Sequence, residues 1–418
     1  MNNKQKILIS NSDVVESEVI EGEDPQYYFN DKLFENVDGD VKSIDEVVTE
    51  KVSEIINKFM GRQYENTLVL TGAGSSILRK DDIDVDMSDE IDFSNYTGKT
   101  MGELKQEIEK RLDVPGVFLL NEIADIVKYS REEGNEFNIE DLLSKVEQAR
   151  AFVEFKDVEK FDSTITEIQR TIKNLCKVQL SKFHKHGEFM NKLVAQKKSH
   201  NRIKIFTTNY DTLFEQSLKE EGYILLDSFS YEFPRTFNSR YFDYDFIIRG
   251  ENKIIDEPDF VDKVAHLYKI HGSIDWYQND KGEVIKSNVV DQDDNSLMIY
   301  PRRAKYEQSY EIPYFDLFSR FQIELRKPST LLIVIGFSFA DKHIKSIVKN
   351  ALINNTGLNL IIVNPEIEST ELQDFVKRAE KYNNVMLFGS KFGNFVDLFR
   401  KQFAYSDNLF MDHGDRYE

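Results

Sequence analysis

One cysteine, Cys176, stands in the 418 residues, and a single thiol excludes both an intrachain disulfide and a tetrathiolate zinc site. Proline and glycine are also scarce, at 8 and 19 residues, which argues against long disordered or low-complexity tracts. With 31% charged and 40% hydrophobic residues, the composition is that of a chain folded throughout, long enough for two units or for one domain with a large insertion. Nowhere do about 18 apolar residues run together, so no segment reads as a membrane span. The longest apolar runs, such as Leu331 to Ile335, have the length of buried strands. In the opening MNNKQKILISNSD the apolar part, Ile7 to Ile9, is too short for a secretory signal, and a cytoplasmic location is expected. Positive charge is in deficit as well: 54 Lys and Arg face 74 Asp and Glu, a net charge of −20. A surface of that sign repels a phosphate backbone, so direct nucleic-acid binding by the bulk surface is excluded.

Residues 1 to 42 are acidic and weakly patterned. Ser43-Ile-Asp-Glu-Val-Val-Thr-Glu-Lys-Val-Ser-Glu-Ile-Ile then reads as an amphipathic helix, with Ser43 and Glu46 spaced as a capping box. Residues 1–62 are therefore taken as an N-terminal acidic and helical extension. Thr67-Leu-Val-Leu is a short strand that runs into Thr71-Gly-Ala-Gly-Ser-Ser. From Gly98 to Ser199 the chain is rich in Lys and Glu, and Met101 to Leu112 and Asn138 to Phe152 carry apolar residues at helical spacing. This predicts a helical insertion over 98–199. Strand signals resume with Ile203-Lys-Ile-Phe-Thr-Thr, Lys269-Ile-His, Leu331-Leu-Ile-Val-Ile, Leu360-Ile-Ile-Val and Val385-Met-Leu-Phe. Short apolar strands spaced by helices predict an α/β fold, a Rossmann-like, doubly wound parallel sheet covered on both faces. Residues 63–97 and 200–405 would build it, followed by a tail over 406–418. Ligands bind such sheets at the carboxyl ends of the strands, so the residues just after each strand carry the functional reading.

Five segments stand there. In Val69-Leu-Thr-Gly-Ala-Gly-Ser-Ser-Ile, Gly72 and Gly74 let backbone amides approach a pyrophosphate, and a helix opening there would favour the anion; a plain strand-to-helix turn is the alternative. The third glycine of a GxGxxG fingerprint is replaced by Ile77, which disfavours a dehydrogenase. In Phe206-Thr-Thr-Asn-Tyr-Asp, Asn209 and Asp211 can hydrogen-bond a carboxamide and ribose hydroxyls, or simply cap a helix. His266 and His271 are five apart and face opposite sides of a strand, so one of them at most serves the site. His271, beside Gly272, is the better placed for the carboxyl edge. Val334-Ile-Gly-Phe-Ser-Phe-Ala-Asp and Leu360-Ile-Ile-Val-Asn-Pro-Glu each end a further strand in small or hydrogen-bonding residues.

Taken in order, these segments resemble the sirtuin family. Gly72-Ala-Gly-Ser resembles its GAGxS phosphate loop, Thr207-Thr-Asn-Tyr-Asp its TQNxD motif, His271-Gly its catalytic HG and Gly336-Phe-Ser its GxS turn. Asn364 and Glu366 resemble the late segment that holds the adenosine. Three departures matter: two CxxC pairs that hold a structural zinc are absent, the glutamine of TQNxD is Thr208, and Ile77-Leu-Arg-Lys-Asp-Asp stands where GIPDFR is usual. The pattern is therefore closer to bacterial sirtuin-like antiphage NADases, with a helical insertion and no zinc module, than to the deacylases.

The resemblance implies NAD as substrate, no metal, and cleavage of NAD to nicotinamide and ADP-ribose. His271 would be the base, Asn209 would orient water or ribose, and Asp211 would hold the carboxamide. Gly72, Ala73, Gly74 and Ser75 would hold the pyrophosphate, with Ser76, Thr207, Thr208, Gly336, Ser338 and Asn364 contacting ribose and adenine. It also implies control by homo-oligomer assembly or by a HerA-type ATPase partner. A non-catalytic NAD or ADP-ribose binding switch is the rival, and a lysine deacylase a third reading. The acidic run Asp81 to Glu90 lacks the spacing of a calcium loop and reads as solvated, and His184 and His186 read as a surface face.

Overall fold

The computed structural model describes residues 4–35 (without 12, 20, 21 and 23), 42–79, 93–129, 142–196 (without 144, 147 and 148), 201–248, 259–287, 296–298 and 313–400. Four strands open the chain in an antiparallel meander: β1 (Lys4–Ser10), β2 (Asp13–Glu18), β3 (Gln26–Phe29) and β4 (Lys32–Leu33). The sequence reading of residues 1–62 as an acidic and helical extension did not include these strands. Leu8, Ile9 and Val15 are fully buried, because β1 pairs with the last strand of the central sheet. The strands are short, and Asp13, Glu16 and Glu18 leave β2 without an apolar alternation to mark it.

Helix α1 (Ile44–Met60) begins as predicted, with the Ser43 side chain accepting from the Glu46 amide and Glu46 answering to the Ser43 amide. Its buried stripe of Val48, Val52, Ile55, Ile56 and Phe59 follows the helical period. After β5 (Asn66–Thr71) come α2 (Met101–Arg111), α3 (Leu120–Ile126) and α4 (Val158–Leu175). Ile108, Leu112, Ile123, Phe161, Ile168 and Ile172 give these three helices a core of their own. Helix α5 (His186–Gln196), placed in the same insertion on sequence, instead packs Phe189, Met190 and Leu193 into the core of the sheet.

Then follow β6 (Ile203–Thr207), α6 (Leu213–Glu220), β7 (Ile224–Leu226), β8 (Arg235–Thr236), β9 (Ile247–Ile248), β10 (Asp259–Phe260), β11 (Val264–Lys269), β12 (Gly272–Gln278), β13 (Val284–Lys286) and β14 (Ser296–Met298). The last part holds α7 (Tyr314–Leu325), β15 (Thr330–Ile335), α8 (Lys342–Asn354), β16 (Leu358–Val363), α9 (Gln373–Lys381), β17 (Val385–Phe388) and α10 (Phe392–Leu398).

The main sheet has 11 strands in the order β4-β3-β2-β1-β17-β16-β15-β5-β6-β11-β7. All pairings from β17 to β7 are parallel. Central strands such as β15, TLLIVI, are buried at every position, as a sheet covered on both faces requires. Alternate residues serve opposite faces: Leu68, Leu332, Val334, Leu360 and Ile362 meet α7, α8 and α9. Val69, Leu331, Ile333, Ile361 and Val363 meet α1, α5, α6 and α10. The fold is thus the doubly wound α/β class with a helical insertion. From β5 the chain builds outward through β6 and β11, then returns to lay β15 against the other side of β5, so the strand order reverses between β5 and β15. Such a reversal opens a crevice at the carboxyl ends of the strands. A second sheet, β14-β12-β13-β8, stands beside it. Among the described residues no helix is long and apolar enough to cross a membrane.

Candidate active site at the strand-order reversal

The two loops that leave β5 and β15 touch backbone to backbone. A Cβ on Gly72 would lie 2.8 Å from the Gly336 carbonyl oxygen, and one on Gly74 would lie 2.7 Å from the Gly336 Cα. Gly336 itself has φ +58°, and its own Cβ would fall 2.5 Å from Gly74 C and Ser75 N. All three glycines are therefore demanded by the fit of one loop on the other. The Gly72 amide donates to the Ile335 carbonyl, Gly74 to Gly336, Ser75 to Gly72 and Ser76 to Ala73. Among residues 72–76 this leaves the exposed Ala73 amide as the one not engaged by a described carbonyl. The predicted helix does not open here: Ala73–Ser75 is a single 3-10 turn, and residues 77–79 are irregular. The chain's amides close on themselves instead of fanning out as a helix N-terminus.

The segment after β6 is tied into that turn. The Thr208 amide donates to the Thr71 carbonyl at 3.0 Å, and the Thr207 hydroxyl accepts the Asn209 amide at 3.0 Å. Asn209 Nδ2 donates to the Gly72 carbonyl (3.0 Å), Ser75 Oγ (3.1 Å) and Ser76 Oγ (2.9 Å). With its amino group so held, the carboxamide cannot turn over, and toward a ligand its Oδ1 can only accept a hydrogen bond. Ser76 Oγ donates to Asp211 Oδ2 at 2.7 Å, while Asp211 Oδ1 accepts the Leu213 amide at 3.0 Å at the start of α6. Asp211 thus accepts a first-turn amide of α6 and at the same time anchors the loop that carries Ser76.

His271 sits in the turn between β11 and β12, with Gly272 at φ +86°. That turn brackets Asn209: the Ile270 amide donates to the Thr207 carbonyl, and the Ile274 amide and Ser273 hydroxyl donate to that of Tyr210. His271 Nε2 lies 3.4 Å from Asp341 Oδ2, both side chains being nearly fully buried. Asp341 ends the loop after β15, where Phe339 is held at φ +60° with its ring between Phe337 (5.1 Å) and Phe375 (4.6 Å). The Ser338 hydroxyl is exposed and accepts the Ala340 amide; Asn364 Nδ2 reaches the Phe337 carbonyl at 3.4 Å, and its Oδ1 accepts the Glu366 amide. The predicted residues from five segments thus gather on one edge of the sheet, Ser338 and Asn364 on the β15 side and His271 on the β6 side.

Residues 203–387 match the family model of the SIR2-like domain. The matched stretch contains Asn209, Asp211, His271, Gly336, Ser338 and Asn364 and leaves out the Gly72 turn and the helical insertion. No curated protein matches the chain. A solved structure described as "Structural Basis for the Mechanism and Regulation of Sir2 Enzymes" aligns over 84% of this chain and 94% of its own, at 10% identity and a TM-score of 0.39.

Inside the SIR2-like stretch lies a buried set of charges that sequence reasoning missed. Lys269 Nζ, 2% exposed, donates to the carbonyls of Tyr210 and Asp211 and pairs with Glu215 at 3.2 Å. Lys286 continues the set, 2.9 Å from Asp227 and 3.5 Å from Asp275, and Arg235 meets Asp227 at 2.7 Å. Burial pushes the Glu215 carboxyl up, whereas Asp227, equally buried, is held below its usual value by Lys286 and Arg235. Lys269 therefore clamps the main chain on the far side of Asn209. The available signal was a lysine at the end of the wholly apolar-facing run His266-Leu-Tyr-Lys.

Of the other described histidines, His266, His184 and His186 are buried. His266 is buried midway along β11, shares a hydrogen with the Tyr268 hydroxyl at 3.2 Å, and burial lowers it to about 3. His184 and His186, read as a surface face, are 9% and 1% exposed. The correction has a simple cause: His186 opens α5 and is wedged edge-on between Phe214 (4.7 Å) and Phe392 (5.2 Å), aromatic partners far away in sequence. Burial lowers it to about 3. The acidic run Asp81 to Glu90 lies outside the described residues.

The helical module is strapped to both loops of the site. The Gly98 amide donates to the Ser76 carbonyl at 2.8 Å, and Thr97 Oγ1 accepts the Leu78 amide. At the module's exit, Gln216 of α6 bonds the Leu180 amide and the Val178 carbonyl, and the Tyr210 ring packs on the module's core.

Proposed function

We propose that this chain cleaves the nicotinamide–ribose bond of NAD, giving nicotinamide and ADP-ribose. The observation that carries the reading is the Asn209 amide, fixed by Gly72, Ser75 and Ser76 in the loop after β6, with the β11–β12 turn that bears His271 bonded to the chain on both sides of it. An acceptor that orients a hydroxyl and a base that takes its proton are the two groups an N-glycosidic cleavage asks of a protein, because the cationic nicotinamide leaves without acid help. The bonding pair departs with nicotinamide, water adds to the oxocarbenium carbon, and its proton passes to His271. Similarity of residues 203–387 to the SIR2-like domain supports NAD as the substrate. In this reading Ser338 and Asn364 face the adenosine half, and the Ala73 amide is the contact for the pyrophosphate.

An enzyme that destroys NAD needs restraint, and the reading extends to an antiphage effector in the cytoplasm, held in check by self-assembly or by a HerA-type ATPase. The rival is a non-catalytic module that binds NAD or ADP-ribose as a switch. The deciding experiment incubates the purified chain with NAD, alone and with a candidate ATPase, and follows nicotinamide by chromatography for the wild type, Asn209→Ala and His271→Ala. Release lost in both variants establishes the hydrolase. ADP-ribose binding without any release in any mixture establishes the switch.

A further inference from the structure

We propose that Asp341 is a positioning residue for His271, holding the neutral imidazole with its hydrogen on Nε2 and its lone pair on Nδ1, so that proton acceptance runs through Nδ1. The inference rests on the reading of His271 as the base. It starts from an asymmetry in the Asp341 carboxylate. Oδ1 accepts the His343 amide at 2.9 Å and the Ile344 amide at 3.2 Å, capping α8, while Oδ2 faces the His271 ring at 3.4 Å. A carboxylate only accepts, so a neutral imidazole beside it presents an N–H, and the ring nitrogen presented is Nε2.

The pair is held from both sides. The loop that ends in Asp341 is pinned by Phe339, whose left-handed backbone is kept in place by Phe337 and Phe375. The His271 ring meets Phe318 at 6.4 Å, and His343 packs on that same phenyl ring at 5.2 Å. Asp341 is in contact with the imidazole, and His343 packs on the same Phe318 ring. At 3.4 Å the contact is a few tenths of an ångström longer than a formed N–H···O bond, and such bonds in unliganded sites tighten once substrate fills the crevice. The carboxylate also stabilises the imidazolium that forms when His271 takes the proton, and so makes the ring a stronger base. Asp341 belongs to a different strand's loop from His271, which makes the basicity of one edge of the site depend on the placement of the β15 loop.

The test uses the full chain with ¹⁵N-labelled histidine and the variant Asp341→Asn, chosen because asparagine keeps the oxygen that caps α8. Unchanged circular dichroism and unfolding midpoint verify the fold; should Asp341→Asn unfold, Asp341→Ser, which also caps, takes its place. In the wild type the His271 ring signals are expected to report the Nε2–H form, and in the variant its titration midpoint falls by on the order of one pH unit, with a mixed tautomer. Nicotinamide release in the variant is expected to drop roughly 10–100-fold in kcat with little change in KM, and the acid limb of its pH profile moves down with the midpoint. A His271 signal with the same midpoint and tautomer in both proteins overturns the proposal. If the wild type releases no nicotinamide, the glycohydrolase reading fails, while the ring titration still decides whether Asp341 sets His271.

Discussion

Replacing Gly336 with alanine tests the apposition of the two loops without any appeal to a ligand. Two separate costs act at this position. Its φ of +58° asks an L-residue for a left-handed conformation, worth about 1–2 kcal/mol. Its Cβ would also lie 2.5–2.6 Å from three backbone atoms of Gly74 and Ser75, which cannot swing aside as a side-chain tip would. Overpacking of that kind costs about 1–3 kcal/mol, so the sum is about 2–5 kcal/mol. Gly222 supplies the control: its φ is +76° and nothing lies within 4 Å of its Cβ, so Gly222→Ala carries the first cost alone. Gly74→Ala, whose Cβ meets the Gly336 Cα at 2.7 Å, carries the second alone. Urea unfolding with an unchanged slope gives the three differences from the midpoints. The double variant Gly74→Ala/Gly336→Ala is expected to cost less than the sum of its parts, because both methyl groups contend for one gap. Gly336→Ala no more costly than Gly222→Ala would refute the contact between the loops and the account given of all three glycines.

Three further outcomes are expected. Lys269→Met leaves two carbonyls without their cation and Glu215 with Lys286 alone, at 3.8 Å, and costs about 3–5 kcal/mol in the urea midpoint; a loss under 1 kcal/mol would show that the clamp on residues 210 and 211 is not needed. Ser76→Ala removes the group shared by Asn209 and Asp211, at about 1–3 kcal/mol, and its effect is expected to be non-additive with Asn209→Ala in a double-mutant cycle. For His186, burial lowers the folded value to about 3 against an ordinary value near 6.5. The unfolded chain therefore binds the proton first as pH falls, and stability is lost across that window at about 1.4 kcal/mol per pH unit. His186→Phe keeps the packing with Phe214 and Phe392 and removes the slope, so acidification from pH 7 to 5 should cost the variant about 2 kcal/mol less than the wild type; equal losses would place His186 in contact with water.

The sheet was readable where burial on both faces leaves unbroken apolar runs, as in β15 and β16, and where a polar cap meets an apolar period, as at Ser43 and Glu46. Strands β1 to β4 were not, because they are short and carry few buried residues: β1 buries only its last three, β2 buries Val15 and Glu18, and β3 and β4 bury none fully. The site was readable as a set of strand ends: Asn209, His271 and Gly336 each follow directly on a strand. Partners were harder to see, since Asp341, Lys269 and Glu215 act on those residues only after the chain has folded back across more than one strand. His186 shows the same limit from the other direction: its local neighbours are Lys and Gly, and the phenylalanines that bury it come from α6 and α10.

Gly98 and Tyr210 give the helical module a mechanical meaning. Many insertions hang from their host by two strands of slack loop and shift without disturbing it. Here the entry is bonded to the main chain of Ser76 and the exit to the first turns of α6, and an aromatic ring from between Asn209 and Asp211 packs against the module's core. A force or a partner pulling on α2 or α4 is therefore delivered to the loops on either side of Asn209, and to β12 through Ile274. The module is a handle whose shaft runs through the candidate site.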